Sequence, residues 1–531
     1  MSFSERRTLA PSANQTIKNI LWIWFNRFCL ILIPLITTPI IVNHFGLRVT
    51  GIWLLAVQLS GIMMFFDIGI TNSLVRLLAM RKSQEDSAYA HSIFTTTFYI
   101  LLLMGGLIIF SSLWLSSVYV DLFDIPQELL KESKDVILLA IVSVGIILPM
   151  RTGYGMLASK HRFDKIQHID TVGNACKLIL IVVLFGYGTP SLLSLGYIVF
   201  GTSVAISVTL FLSAIQCSSS GLQILYWKNV SRSVLLLLLS MSFAALVVTF
   251  SALLLHQGTS SIVGFLIDLQ SVSLLAVPLM IFISITPFFQ TFATIASPIA
   301  AGVSIDSERD KLFNNYIQTT KYLVCISYLA VISFFYIGEI IFGLWLLGPK
   351  TTLEDIRVIN TIVTLLFAGY TLGLSSSIGR SILASVGRHW SSSVAELWTT
   401  LVGVLVGILL VYLTDLKVIG MALGIVLAMS ARGLYVYPRL LSNYFACSAY
   451  YIIFKTTVVP SLVCLPYIIL GLVIHMFFIP IDTFPIRTAE LLLIWLASVL
   501  LCVMSIWLFI MPTEHRNTVV NVISKYVPKH Y

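Results

Sequence analysis

Charge is what this sequence has least of. Asp, Glu, Lys and Arg make up 10% of its 531 residues and 58% are apolar, whereas a soluble protein is roughly a quarter charged. That excludes an ordinary soluble enzyme, because no stretch has the polar surface that even one soluble domain needs. Recognisable chemistry is missing as well. The seven cysteines, Cys29, Cys176, Cys217, Cys325, Cys447, Cys464 and Cys502, lie mostly in apolar segments without CxxC or metal-ligand spacing. They read as small core residues. The nine histidines are scattered, and no HExxH, P-loop or GxSxG context occurs. The sequence therefore offers no metal site, no cofactor site and no activated nucleophile. The net charge of +9 does not point to nucleic acid, since a polytopic membrane protein acquires such a surplus from its cytoplasmic loops.

What the sequence has in abundance is long apolar runs. The hydrocarbon layer is roughly 30 Å thick and a helix rises 1.5 Å per residue, so about 20 mainly apolar residues make a span. Fourteen such runs predict transmembrane helices near 20–43, 51–67, 91–119, 135–158, 166–186, 191–215, 232–256, 262–289, 316–347, 358–384, 392–413, 418–440, 455–479 and 488–511. The first reads as a span, because its apolar run is too long for a signal-peptide core and no small-residue cleavage site follows. Of the 32 lysines and arginines, 22 are assigned to the N-terminal side and seven to the opposite side, and three (Arg27, Arg151 and Lys177) fall inside spans. This bias predicts both termini in the cytoplasm. The basic turn Lys160-His161-Arg162 reads first as a topological anchor, and second as a lipid-headgroup contact. The longest outer loop, Val120–Lys134, is expected to have about 15 residues, and the inner ones about 20, too few for an extramembrane catalytic domain or a nucleotide-binding domain.

The chain also repeats itself. Gly153-Tyr-Gly-Met-Leu-Ala-Ser-Lys-His-Arg162 and Gly379-Arg-Ser-Ile-Leu-Ala-Ser-Val-Gly-Arg388 share Gly, Leu, Ala, Ser and Arg at the same spacings, at the cytoplasmic ends of spans 4 and 10. Spans 2 and 8 agree, each beginning near a Gly-containing outer turn (Gly46 to Gly51; Gly258 to Gly264). The expected architecture is an all-α polytopic membrane protein of two six-helix lobes plus two C-terminal helices. Its segments are a cytoplasmic segment 1–19, an N-lobe 20–215, an inter-lobe loop 216–231, a C-lobe 232–440, two further helices in 441–511 and a cytoplasmic tail 512–531. Two related lobes with a site between them are one way to build alternating access.

Phe45-Gly46, Gly51-Ile52-Trp53 and the run Phe66-Asp67-Ile68-Gly69-Ile70-Thr71-Asn72-Ser73-Leu74-Val75-Arg76 resemble the N-terminal signature of the Wzx-type polysaccharide flippases. These belong to the multidrug/oligosaccharidyl-lipid/polysaccharide exporter superfamily. The motif covers about 30 residues; the span count and the repeat extend the likeness along the chain. The resemblance implies a bacterial inner-membrane protein that carries undecaprenyl-diphosphate-linked oligosaccharide, such as an O-antigen unit, to the periplasmic leaflet. A polysaccharide polymerase and chain-length proteins would be its partners. Asp67, Gly69 and Arg76 read mainly as structural.

Charges inside the spans point to a site, because each costs roughly 2.5–3.5 kcal/mol at mid-bilayer and needs a partner, a cavity or an escape route. Gln167, Asp170, Asn174 and Lys177 are spaced three, four and three apart and share one helical face. Lys177 lies about 11 residues into its span, roughly 16 Å, near the midplane. The stripe reads either as an ion-paired or hydrogen-bonded seam or, the favoured reading, as the wall of a hydrophilic cavity. Arg27 snorkels or lines that cavity; Arg151, behind Pro149, is too deep for simple snorkelling; Arg380 allows both. Asp268 and Glu396 are candidates to partner these cations or to titrate and couple transport to an ion. The leading expectation is a flippase whose cavity cations Lys177, Arg151, Arg27 and Arg380 attract a lipid-linked diphosphate. A multidrug antiporter of the same superfamily, a membrane-embedded glycan polymerase or ligase, and a structural scaffold are the alternatives.

Overall fold

The structure, a computed structural model, describes residues 13–67, 69–80, 87–217, 226–302, 306–478, 488–513 and 516. Every regular element among them is helical: α1 (Ala13–Met63), α2 (Ile70–Ala79), α3 (Ser87–Asp121), α4 (Gln127–Ser159), α5 (Phe163–Tyr187), α6 (Leu192–Gln216), α7 (Arg232–Leu253), α8 (Thr259–Leu266), α9 (Leu269–Gly302), α10 (Asp306–Leu346), α11 (Leu353–Ser385), α12 (His389–Leu413), α13 (Lys417–Ala431), α14 (Tyr437–Phe445), α15 (Ala449–Ile453), α16 (Val459–Phe478) and α17 (Thr488–Ser505), with short π and 3-10 turns joining some of them. Hydrocarbon supplies no hydrogen bonds, so a spanning segment satisfies its backbone internally, and long apolar runs become helices. Most of the 1–19 and 512–531 segments, and residues 218–225 of the inter-lobe loop, lie outside the described residues.

Thirteen of the described helices are long and apolar enough to cross a membrane. The first, Phe25–Asp67, is 43 residues long, about twice the length a bilayer requires. It bends at Gly46, whose φ of 80° and ψ of 166° interrupt the helical backbone in a region where only glycine is at ease. The expected spans 1 and 2 are thus the two arms of one kinked helix, and the count of fourteen is met.

Two boundaries differ from the sequence reading. Spans 7 and 8 were expected to divide around residues 256–262, at Gly258. The helix instead continues from Arg232 through a π turn at Leu254–Gly258 to Leu266, and breaks at Ile267 (φ −122°, ψ −79°). Gly258 and Gly264 are helical, not turn residues; at Gly264 a Cβ would come within 2.4 Å of Val272, so glycine serves close packing there. The outer loop 120–134 also shrinks. Helices α3 and α4 project past their apolar cores until only residues 122–126 connect them.

The chain divides into two compact units, Met1–Val277 and Pro278–Tyr531, the division falling within α9. In the first, Ile52, Trp53, Leu55, Ile137, Ile141 and Leu195 form a buried core shared by α1, α4 and α6. The start of α9 belongs to this unit for a physical reason. Gly51 lets the Leu269 carbonyl approach so closely that a Cβ would lie 2.0 Å from it, and the Ser273 hydroxyl donates to the Leu47 carbonyl at 2.7 Å. In the second, Phe282, Phe334 and Tyr370 pack around Phe367 and Phe342.

The repeat extends beyond its ten-residue signature. One constant shift of 226 residues carries α4 onto α11 and α5 onto α12 at both ends of both helices. It also superposes the turns: His161 (φ 55°) corresponds to Gly387 (φ 80°). The Arg162 amide donates to the Leu157 carbonyl at 3.0 Å as the Arg388 amide does to that of Leu383 at 2.8 Å. Under the same shift α6 falls on the nearly continuous helix formed by α13, the π turn Arg432–Val436 and α14.

Candidate functional site: two intramembrane polar clusters

Each unit holds a set of polar and charged side chains inside its spans. In the first unit it is organised by α5, whose Val172, Cys176, Ile179 and Val183 form an exposed apolar face suited to lipid. Gln167, Asp170, Asn174 and Lys177 lie on the opposite side and are half-buried. Gln167 accepts from the amide of Asn26 on α1, and Asn26 in turn accepts from Thr171 at 2.9 Å. This closes a seam between α1 and α5. Deeper along the stripe, the Lys177 ammonium donates to Asn174 Oδ1 at 3.2 Å and reaches Ser203 on α6 at 3.5 Å. Asp170 and Lys177 make no ion pair within 4 Å; the described pairs are Arg151–Asp67, Arg162–Asp164 and Arg380–Glu396. Lys177 is therefore an intramembrane cation held by neutral oxygens.

Arg151 on α4 pairs through Nε with Asp67 Oδ2 at 3.1 Å. Asp67 is the buried partner. Its other oxygen accepts the Thr71 amide at 3.1 Å and hydroxyl at 2.7 Å, capping α2 just after Gly69, whose φ is 69°. The family-like motif is thus the anchor of Arg151, a connection across 84 residues. Arg151 leaves 38% of its side chain exposed against 11% for Asp67, and its terminal nitrogens take no partner among the described residues. Arg27 is exposed on α1, beside the buried Asn26.

The second unit is built differently. Glu396 on α12 accepts the Tyr437 hydroxyl at 2.6 Å and Arg380 Nη1 at 3.3 and 3.4 Å. Arg432, at the start of the π turn, donates through Nε to Thr399 at 2.9 Å, through Nη2 to the Glu396 carbonyl at 3.2 Å, and to Thr400. Arg380 thus pairs with a carboxylate that is 5% exposed while itself remaining 39% exposed, and Arg432 holds the backbone of the same residue. The cluster carries one net positive charge.

The structure joins Arg380 to Glu396 and Lys177 to Asn174, and gives Arg151 a partner, Asp67, that the sequence reads as structural. Asp268 is not within a span. It lies in the turn between α8 and α9, where its carboxylate accepts the Ser271 amide at 2.7 Å as a helix cap. Arg432, Tyr437, Thr399 and Thr400 went unnoticed. Arg432 was assigned to a loop, although Met429, Ala431, Gly433 and Leu434 around it should have marked a charge inside an apolar run.

No protein-family model matches the sequence, and no curated protein matches it. Solved structures do. The chain is similar to a lipid II flippase, MurJ, in an inward closed conformation, at 15% identity and a TM-score of 0.66, over 92% of this chain and 98% of that one. It is also similar to an inward-facing MATE multidrug-resistance transporter of the MOP superfamily, at 14% identity and a TM-score of 0.64, over 78% of this chain and 99% of the other. A MATE structure in a straight conformation aligns at 14% identity and a TM-score of 0.53, over 81% and 96%. The chain has the fold of these membrane transporters.

Proposed function

We propose that this chain is a flippase that carries undecaprenyl-diphosphate-linked oligosaccharide, an O-antigen or related surface-polysaccharide unit, across a bacterial inner membrane by alternating access, with both termini in the cytoplasm. The observation that carries the reading is the near-complete overlay on a lipid II flippase, which leaves less than a tenth of either chain outside. The clusters supply chemistry that suits the cargo. A diphosphate needs cationic partners in low dielectric. Arg151 and Arg380 are each fixed along one edge by a buried carboxylate while keeping more than a third of the side chain exposed, and Lys177 presents an ammonium bonded to neutral oxygens, with no carboxylate within 4 Å. Anchoring lowers the entropy lost on binding, since the arginine is already held in place. Arg27 would add charge at the end of the same unit, and the prenyl tail would remain in the bilayer.

The MATE overlay favours a second reading, a multidrug antiporter, in which the buried Glu396 would be the coupling carboxylate. Deleting the protein separates the two. The flippase reading expects surface polysaccharide to be lost while lipid-linked units accumulate on the cytoplasmic leaflet, with drug sensitivity unchanged. Increased drug accumulation with normal polysaccharide would establish the antiporter. Units that reached the periplasmic leaflet and stayed unpolymerised would establish a polymerase or ligase.

A further inference from the structure

A second cationic feature lies outside both clusters, where α10 meets α14 and α15. Lys321 on α10 and Lys455 in the π turn after α15 lie between two contacts that hold these helices together, the Phe313 ring on Tyr451 and the Tyr328 hydroxyl on Ser461 at 2.8 Å, and there the two ammonium groups repel one another. Neither has a carboxylate within 4 Å among the described residues. Both are half-buried, so water screens them poorly. Lys455 sits 5.7 Å from the centroid of the Tyr451 ring. That ring stacks on Phe313 at 6.3 Å, and Phe313 meets Phe445 at 4.8 Å. At the far end of this aromatic row Arg309 lies 5.1 Å over Tyr444, with its Nε buried and without a hydrogen-bond partner. Around the lysines the surface is aromatic and open: Tyr450, Tyr451 and Phe454 are 83%, 48% and 50% exposed. Two uncompensated ammonium groups beside exposed aromatic rings match what a membrane interface presents to a lipid headgroup.

We propose that Lys321 and Lys455 hold the phosphate of an anionic phospholipid, with Tyr450, Tyr451 and Phe454 against its glycerol and upper acyl region. A phosphate between the ammonium groups turns their repulsion into two attractions. The exposed rings select a lipid over free phosphate, because only a lipid covers apolar surface along with the charge. The site joins α10 to the helices beyond the six-helix repeat and rests on the fold alone, so it stands whether the transported cargo is a lipid-linked sugar or a drug.

The test is native mass spectrometry of the full chain in detergent, titrated separately with phosphatidylglycerol, phosphatidylcholine, inorganic phosphate and a polyprenyl diphosphate. Phosphatidylglycerol is expected to bind well ahead of phosphatidylcholine. Lys321→Gln and Lys455→Gln should each weaken it about fivefold, and the pair together about 25-fold, given roughly 1 kcal/mol per basic residue at an anionic membrane surface. The Lys321→Arg, Lys455→Arg double variant keeps the charge and should keep binding, which separates loss of the site from loss of the fold. Lys228→Gln, against Tyr226, should change nothing. Unchanged phosphatidylglycerol binding by the folded double glutamine variant overturns the proposal. So does inorganic phosphate displacing the lipid at equal concentration, which would make this a free-anion site, or a lysine-dependent preference for polyprenyl diphosphate, which would make it a cargo site.

Discussion

Helices α4 and α5 of the first unit and α11 and α12 of the second share one backbone, residue for residue under a single shift, yet their charges are handled in opposite ways. Asp170 and Glu396 are equivalent positions under that shift. Asp170 is half-buried and its carboxylate has no ion pair, whereas Glu396 is gripped by Arg380, Tyr437 and, through its backbone, Arg432. The helix faces differ to match: 6% of the most apolar stretch of the α5 span is buried, against 28% for α12. A duplicated frame fixes where side chains can be placed but not what they do. One copy keeps an intramembrane cation on neutral oxygens, and the other closes its carboxylate into a buried network.

The largest effect that tests this contrast is on transport. Lys177→Ala is expected to insert normally and to abolish complementation of a deletion strain, with Lys177→Arg partly active. If the stripe serves packing only, Asp170→Asn with Lys177→Gln will deliver near-normal polysaccharide at equal protein level. Next comes stability. Glu396→Ala leaves the Arg380 guanidinium and the Tyr437 hydroxyl without their buried carboxylate, and breaking a buried pair from one side costs about 3–5 kcal/mol. Asp170→Ala should cost under about 1 kcal/mol. Thermal unfolding of the two purified variants in one detergent checks this, and equal losses would erase the distinction between the units. Asp67→Asn should come third, at about 2 kcal/mol, the scale of a hydrogen bond to a charged partner. It would be read as a lower midpoint together with freer proteolysis near α2. The smallest effect concerns the paired turns. Gly387→Ala meets no atom within 4 Å, so only its left-handed backbone is strained, for about 1 kcal/mol, while His161 already occupies the equivalent turn with a side chain.

Much of the fold was legible because its signals are local. The apolar runs gave the spans, most of them to within several residues, with span 7 ending ten residues later and span 9 starting ten residues earlier than expected, and Gly153 and Gly379 with the Leu-Ala-Ser that follows gave the repeat. The errors were local too. Gly258 reads as a turn by propensity, but a glycine inside hydrocarbon is held helical when its backbone groups have no other partners. Gly264 is small because Val272 abuts it. At the site, spacing placed Gln167, Asp170, Asn174 and Lys177 on one face. It could not say that Gln167 would engage Asn26 while Lys177 would take Asn174 and Ser203 and no carboxylate within 4 Å.

Composition, hydropathy and repeated spacing by themselves determined a polytopic helical protein, its spans and the duplicated frame, because each depends on residues within one helix or on one helix compared with another. Charge pairing was decided only by the tertiary structure. Arg151 meets Asp67 across 84 residues and Tyr437 meets Glu396 across 41, separations that no helical period links. Which helix packs beside which sets the distance between charges, and in a low-dielectric interior that distance decides whether a charge is anchored, enclosed or left for a ligand.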